Sequence, residues 1–336
     1  MLFRSNTGEP TGNFGRLYGG TIPSSVFADI QNNNVGLIAD ALDRRTQGIG
    51  LAAAGLPDNF FRPNPQFSLA GLGCSCSSSE YNALQIQVQR RLGGGLAFGA
   101  NYTLAKSVDD VSNDTRGAGT ELVVPSDPHR LELDHGRSDF DVRHTVRGHA
   151  IWDLPFGKGR RFLSNASGLV NGLVSGWQIN GILDASSGFP LTVFSGFHTF
   201  TFYDSGTRVA TTSGNGTTNR ATYSGSGSIG QVRETERGVE FFNADERALF
   251  ATPEAGDTGS VRNIFTGPGF FQVDFGVFKN INISKHRLEL RVEVFNLFNT
   301  VNFADPNILV TAGSFGTITD TRVPPRIIQL GAKYYF

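Results

Sequence analysis

His129, His135, His144 and His149 crowd one stretch of the chain, a composition that invites a metal site. None of their spacings sets two ligands on one face of a helix, as a metalloprotease motif requires. His144 and His149 differ in parity, so on a strand they point to opposite faces. Hydrogen-bonded or solvated histidines are the expectation. Asp109, Asp110, Asn113 and Asp114 offer oxygen ligands at close spacing but lack the regular calcium loop and its closing Glu. They read as a solvated acidic loop. Cys74 and Cys76 have one residue between them, which makes a mutual disulfide strained, and no further metal ligands lie nearby. Two thiols in a loop are expected. Gly93, Gly94, Gly95 and Gly99 resemble a phosphate loop, but an alternating stretch follows where a helix would be needed. Glu289, Arg291 and Glu293 share one parity and read as a charge ladder rather than a catalytic cluster. No Ser/His/Asp or Cys/His arrangement has supporting context. The expectation is a chain that is not an enzyme, with no catalytic residue, metal ligand or cofactor.

Composition narrows the class. A net charge of -1 gives no reason to expect nucleic acid or an anionic membrane surface as a partner. With 42 Gly, 28 Phe and a single Met, strands, turns and aromatic belts are favoured over a helical bundle. No run of about 18 apolar residues exists, so a transmembrane helix is not expected. If the chain crosses a membrane, it does so as strands.

The elements that would position these residues are alternating segments. At the end of the chain Ile328, Leu330, Ala332, Tyr334 and Phe336 share one face, with Gln329, Gly331 and Lys333 opposite. Leu288, Leu290, Val292 and Val294 alternate with Glu289, Arg291 and Glu293, and Phe271, Val273, Phe275 and Val277 with Gln272, Asp274 and Gly276. Two further strands are read at 177–184 and 142–154, the second with His144, Gly148 and Ile151 out of pattern. Leu84, Ile86 and Val88 oppose Gln85, Gln87 and Gln89; a Gly-rich turn follows, then the alternating stretch Leu96 to Leu104. That is a hairpin, its turn built from residues that tolerate positive φ. The fold class predicted is all-β: an antiparallel transmembrane β-barrel segment, a partial barrel of about seven clear strands with long extracellular loops.

Connection lengths assign the sides. Placing Phe336 at the periplasmic side puts turns 91–95, 155–176 and 280–287 there, and segments 107–140, 190–268 and 297–325 on the other side. Every long segment falls on one side, as in outer-membrane barrels, whereas a soluble β-sandwich has no reason to sort its loops. Trp152, Trp177, Phe271, Tyr334 and Phe336 lie near strand ends, where barrels carry aromatic girdles. Expected lipid-facing residues are therefore Leu288, Leu290, Val292, Val294, Phe271, Val273, Phe275, Ile328 and Leu330. Expected lumen-facing residues are Glu289, Arg291, Glu293, Gln272, Asp274, Gln329 and Lys333. Residues 81–336 form the strand region. Residues 1–80 read mostly as extracellular loop, partly irregular, with a short helix around Val35 to Arg45.

Several segments resemble one family. Asn59-Phe-Phe-Arg-Pro-Asn-Pro-Gln-Phe67, Tyr81-Asn-Ala-Leu-Gln-Ile-Gln-Val88 and Asn101-Tyr-Thr-Leu-Ala-Lys-Ser107 are similar to TonB-dependent receptors of the Oar-like type. So are Asp141-Val-Arg-His144, Asp153-Leu-Pro-Phe-Gly-Lys-Gly159 and Phe295-Asn-Leu-Phe-Asn-Thr-Val-Asn-Phe303. The resemblance covers about residues 55–336. It implies the C-terminal part of a roughly 22-stranded outer-membrane barrel whose complete members carry a plug and take up substrates with energy relayed by the TonB system. It further implies outer-membrane lipid as surroundings, and the barrel assembly machinery as a partner that reads the terminal strand at Phe336 and Tyr334. No plug, energy-coupling segment or signal peptide is recognisable, so the expectation is a truncated or fragmentary product. Contact with the TonB system would then run only through the absent N-terminal barrel and plug. The rival expectation is a secreted or surface β-sandwich binding carbohydrate or protein, its apolar faces packed on each other.

Overall fold

The computed structural model describes residues 24–38, 51–52, 55–57, 60, 75–112, 122–123, 125–127, 130–200, 209–210, 219–236 and 238–336. Its main feature is one antiparallel sheet in which each long strand pairs with the next: β1 (Ser79–Gly93), β2 (Leu96–Asp109), β3 (His144–Asp153), β4 (Trp177–Ser186), β5 (Phe270–Ile283), β6 (His286–Phe295) and β7 (Ile327–Tyr335). These are the strands that the alternation predicted. The sheet is not closed: β1 and β7 are its edges.

Register explains why alternation was so informative. Ile86 is opposite Tyr102, Tyr102 opposite Val146, Val146 opposite Ala185 and Ala185 opposite Phe271. Val277 is opposite Val292, which is opposite Leu330. Cross-strand partners share a face, so the apolar positions of all seven strands merge into one surface. The other face is set by Gln87–Asn101, Asn101–Arg147, Arg147–Asp184 and Asp184–Gln272, then by Glu293–Gln329 and Glu289–Lys333. Leu84, Ile86, Val88, Leu290, Val292, Ile328 and Leu330 are all exposed. No second sheet covers them among the described residues, and the sandwich alternative is set aside.

The hairpins close tightly on one side. Gly94 and Gly95 have φ of +64° and +85° between paired Gly93 and Leu96, a conformation that glycine adopts without Cβ strain. Ile283 pairs with His286 across Ser284 and Lys285. The third connection on that side, 154–176, contains the short helix α1 (Gly168–Val174).

The core lies off the sheet. Leu191, Val193, Ala221, Phe241, Phe242, Phe250, Phe265, Phe315 and Ile318 form one buried cluster, all drawn from the long segments 187–269 and 296–326. Phe242, fully buried, sits 5.0 to 5.8 Å from the rings of Phe241, Phe250, Phe265 and Phe315. Gly230 has φ +93°, and a Cβ there would lie 2.3 Å from the Phe241 ring. The long loops are thus a folded cap with its own aromatic core. Helix α2 (Ala244–Arg247) is fastened in it by a capping box between Asn243 and Glu246. The N-terminal described segment joins the cap: Asn34 accepts from the His198 amide, and Asn33 donates to the Pro253 carbonyl at 3.1 Å. The helix predicted at Val35 to Arg45 is present over residues 35–38; residues 39–45 lie outside the described residues.

Candidate functional site: a polar sheet face beneath a latched cap

β1 and β2 run past the start of β3. Leu104 is the last β2 residue paired with β3, whereas β2 continues to Asp109 against β1. The five further residues project about 17 Å on the long-loop side. At their tip Arg262 of the cap is buried with both Asp109 and Asp139. Its five N–H groups are all used. Nε donates to the Asp134 carbonyl, Nη1 to Ser112 Oγ (2.7 Å) and Asp139 Oδ1 (3.3 Å), and Nη2 to the carbonyl (2.6 Å) and carboxylate of Asp109.

Beside it Arg220 pairs with buried Asp134 and donates to the carbonyls of Ser260 (2.7 Å) and Leu133 (2.9 Å). Arg137 binds Asp141 at 2.8 Å and Thr266 at 2.9 Å, and Asp141 accepts the Ser107 amide at 2.7 Å. Asn263 joins Thr192, Asp139 and the Arg137 carbonyl. Buried charges are tolerable only when paired and hydrogen-bonded. This network meets that condition and locks residues 130–143, 219–220 and 260–266 to the end of β2.

Asp109 and Asp110 of the acidic stretch are therefore not solvated. They are 3 % and 9 % exposed, because Arg262 of the cap reaches Asp109 and Ser78 and His135 reach Asp110, partners that local sequence does not reveal. Asp110 accepts from the Ser78 hydroxyl (2.6 Å) and amide (2.9 Å) and meets His135 Nδ1 at 2.8 Å. These contacts, that from the Ser78 hydroxyl foremost, hold its pKa below the ordinary carboxylate value. Glu246 is also lowered. Burial is the largest influence and opposes this, but Arg233, bound through both nitrogens at 2.8 and 3.0 Å, and the Asn243 and Gly230 amides outweigh it. Asn113, Asp114 and His129 lie outside the described residues. Among the described residues no group of His, Cys, Asp and Glu could hold a metal ion. Cys76 is disulfide-bonded, which corrects the expectation of a free thiol there; Cys74 lies outside the described residues.

The predicted face residues fall into two groups. Leu288, Leu290, Val292, Val294, Phe271, Val273, Phe275, Ile328 and Leu330 occupy the apolar surface, with Tyr334 at its turn-side edge. On the polar surface, Arg291 donates to Glu289 at 2.8 Å, Tyr335 reaches the same carboxylate at 3.4 Å, and Lys333 lies 4.7 Å from the Tyr335 ring. Glu293 and Gln329 are opposite each other nearby. Gln272 and Asp274 sit apart, toward the cap, 2.8 Å from one another. Asp274 also accepts the Asn296 amide at 2.9 Å, so it fastens the exit of β6. Tyr334 stacks on His286 at 5.5 Å, while Phe336 is 98 % exposed.

His144 and His149 do point to opposite faces. His144 meets the Tyr102 hydroxyl at 2.9 Å on the apolar side, and His149 lies over Gly99 on the polar side. Arg262, Arg220, Asp134 and Asp139 escaped sequence reasoning, since nothing in local spacing marks residues paired across more than 80 positions. The motif Phe295–Phe303 did hold a readable sign. Asn296 and Asn299 have φ of +54° and +53°, which Asn tolerates better than most residues. Asn302 holds the Phe271 backbone through both side-chain atoms.

Among comparisons with known proteins, the family model described as "Outer membrane beta barrel domain" matches residues 24–329. No curated protein and no solved structure gives a significant match.

Proposed function

Because the chain belongs to the outer membrane beta barrel domain family, we propose that it forms the C-terminal barrel wall of a TonB-dependent receptor of the Oar-like type, serving substrate uptake. Lipid then contacts Leu288, Leu290, Val292, Val294, Phe271, Val273, Phe275, Ile328 and Leu330. Glu289, Arg291, Glu293, Gln272, Asp274, Gln329 and Lys333 face the passage, and the latched cap forms part of its outer mouth. The observation that carries this reading is the two-faced sheet, predominantly apolar on one side across all seven strands and predominantly polar on the other. The resemblance of the quoted segments supplies the receptor class.

In lipid the open edges of β1 and β7 would leave backbone groups unsatisfied at several kcal/mol each. The chain therefore works with further strands that pair those edges. The barrel assembly machinery engages the terminal strand through Tyr334 and Phe336.

Two measurements test the proposal. Membrane-inserted product should resist extraction except by detergent and migrate differently on gels before and after heating; a soluble, well-folded monomer would sink the membrane reading. Cells lacking the gene should lose energy-dependent accumulation of at least one solute, restored by complementation and abolished by a protonophore. Identical solute uptake in both strains would refute the receptor role.

A further inference from the structure

Helix α1 is unusual in what it exposes. Leu169 is 89 % exposed, Leu173 74 % and Val170 48 %, and no element covers them among the described residues. Leu169 and Leu173 are four apart, so they share one side of the helix. The opposite side is tethered inward: Asn171 accepts the Lys158 amide at 2.6 Å, folding the start of the connection against the helix.

The helix is placed by two residues of the apolar sheet surface. Lys279 and Trp177 are cross-strand partners with the parity of Val277 and Ile179. Lys279 Nζ donates to the carbonyls of Gly172 (2.6 Å), Leu173 (3.0 Å) and Ser175. Trp177 Nε1 donates to the Leu173 carbonyl at 2.7 Å. The last carbonyls of a helix have no intrahelical partners and attract a cation. Lys279, otherwise out of place on an apolar surface, thereby fixes the C-terminal end of α1 against the outer side of the sheet. The exposed leucines thus continue the surface that lipid covers.

The same connection carries Lys158, Arg160 and Arg161, all exposed, and residues 154–176 contain no acidic residue. None of the three forms an ion pair among the described residues. Apolar side chains at the level of the bilayer edge, with cations beside them, fit an interfacial anchor on anionic lipid.

We propose that residues 154–176 form a phospholipid-binding anchor on the short-turn side, α1 inserting Leu169, Val170 and Leu173 among acyl chains while Lys158, Arg160 and Arg161 hold anionic headgroups. The proposal rests on the barrel reading, and its test separates the two failures. Trp177 adjoins α1, so a W152F chain reports this site alone, the protein having two tryptophans. The full chain is inserted into phosphatidylcholine vesicles containing the same small fraction of lipid brominated on its acyl chains, either phosphatidylglycerol or phosphatidylcholine. Brominated phosphatidylglycerol should quench Trp177 about threefold more strongly, and the preference should vanish in K158Q/R160Q/R161Q. Equal quenching by the two lipids, or a preference that survives the triple substitution, overturns the anchor and leaves the barrel standing. Quenching by neither lipid overturns both.

Discussion

Arg262 and Asp109, separated by 153 positions, form an ion pair with both side chains almost wholly buried at the tip of the β1–β2 hairpin. Through it a cap folded from the long loops is bolted to the sheet that carries them. Mobile loops would leave such a cap shapeless; this latch gives it a fixed form.

Removing the guanidinium strips the buried Asp109 carboxylate of its cation and takes one donor from the buried Asp139. Arg262→Ala should destabilise the cap by about 3–5 kcal/mol, the usual cost of breaking a buried pair from one side. Limited proteolysis should then cut within 187–269 at a protease concentration that spares the parent, while heat-modifiable mobility of the sheet persists. Unchanged protease resistance would remove the latch from the account.

Acid should loosen the same region. Asp110 and Glu246 both have folded pKa values below their ordinary 3.8 and 4.5. A carboxyl lowered on folding contributes stability that is fully present above its unfolded value and lost as pH falls through its folded value. Relative to the intrinsic rate at each pH, hydrogen exchange of residues 75–112 and 228–250 should stay constant between neutrality and about 5, then accelerate below about 4. In Asp110→Asn the acid-induced acceleration around 75–112 should be reduced; exchange that tracks the parent throughout would show that Asp110 is not responsible.

The two faces of β7 should answer differently to one charge. Leu330→Arg places a guanidinium on the apolar surface at a cost of about 2–4 kcal/mol near a bilayer midplane. Gln329→Arg places it on the polar surface beside Glu293, where it should be tolerated. The yield of the heat-modifiable form from membranes compares them, and equal yields would contradict the face assignment.

Phe336, just past the end of β7, is 98 % exposed, and its ring lies 6.4 Å from that of Tyr334. Phe336→Ala should therefore cost little packing yet, on the proposed recognition by the assembly machinery, lower membrane insertion several-fold. Normal insertion of the variant would mean that the terminal aromatic is dispensable.

What the sequence determined by itself was the sheet. A strand's faces follow from a two-residue period that each segment carries internally. The seven strands, their two faces and the sorting of short and long connections were therefore legible before any contact was known. Asn296, Asn299 and the Gly94–Gly95 turn were readable for the same reason, since backbone conformation is a local property. The cap was decided only by the tertiary structure. Phe241, Phe250 and Phe315 have no shared period, and Arg262 meets Asp109 only after the chain has crossed the sheet twice more. Placement of α1 by Lys279 likewise joins residues more than 100 positions apart. Such contacts depend on which segments folding brings together, and a one-dimensional pattern holds no record of that.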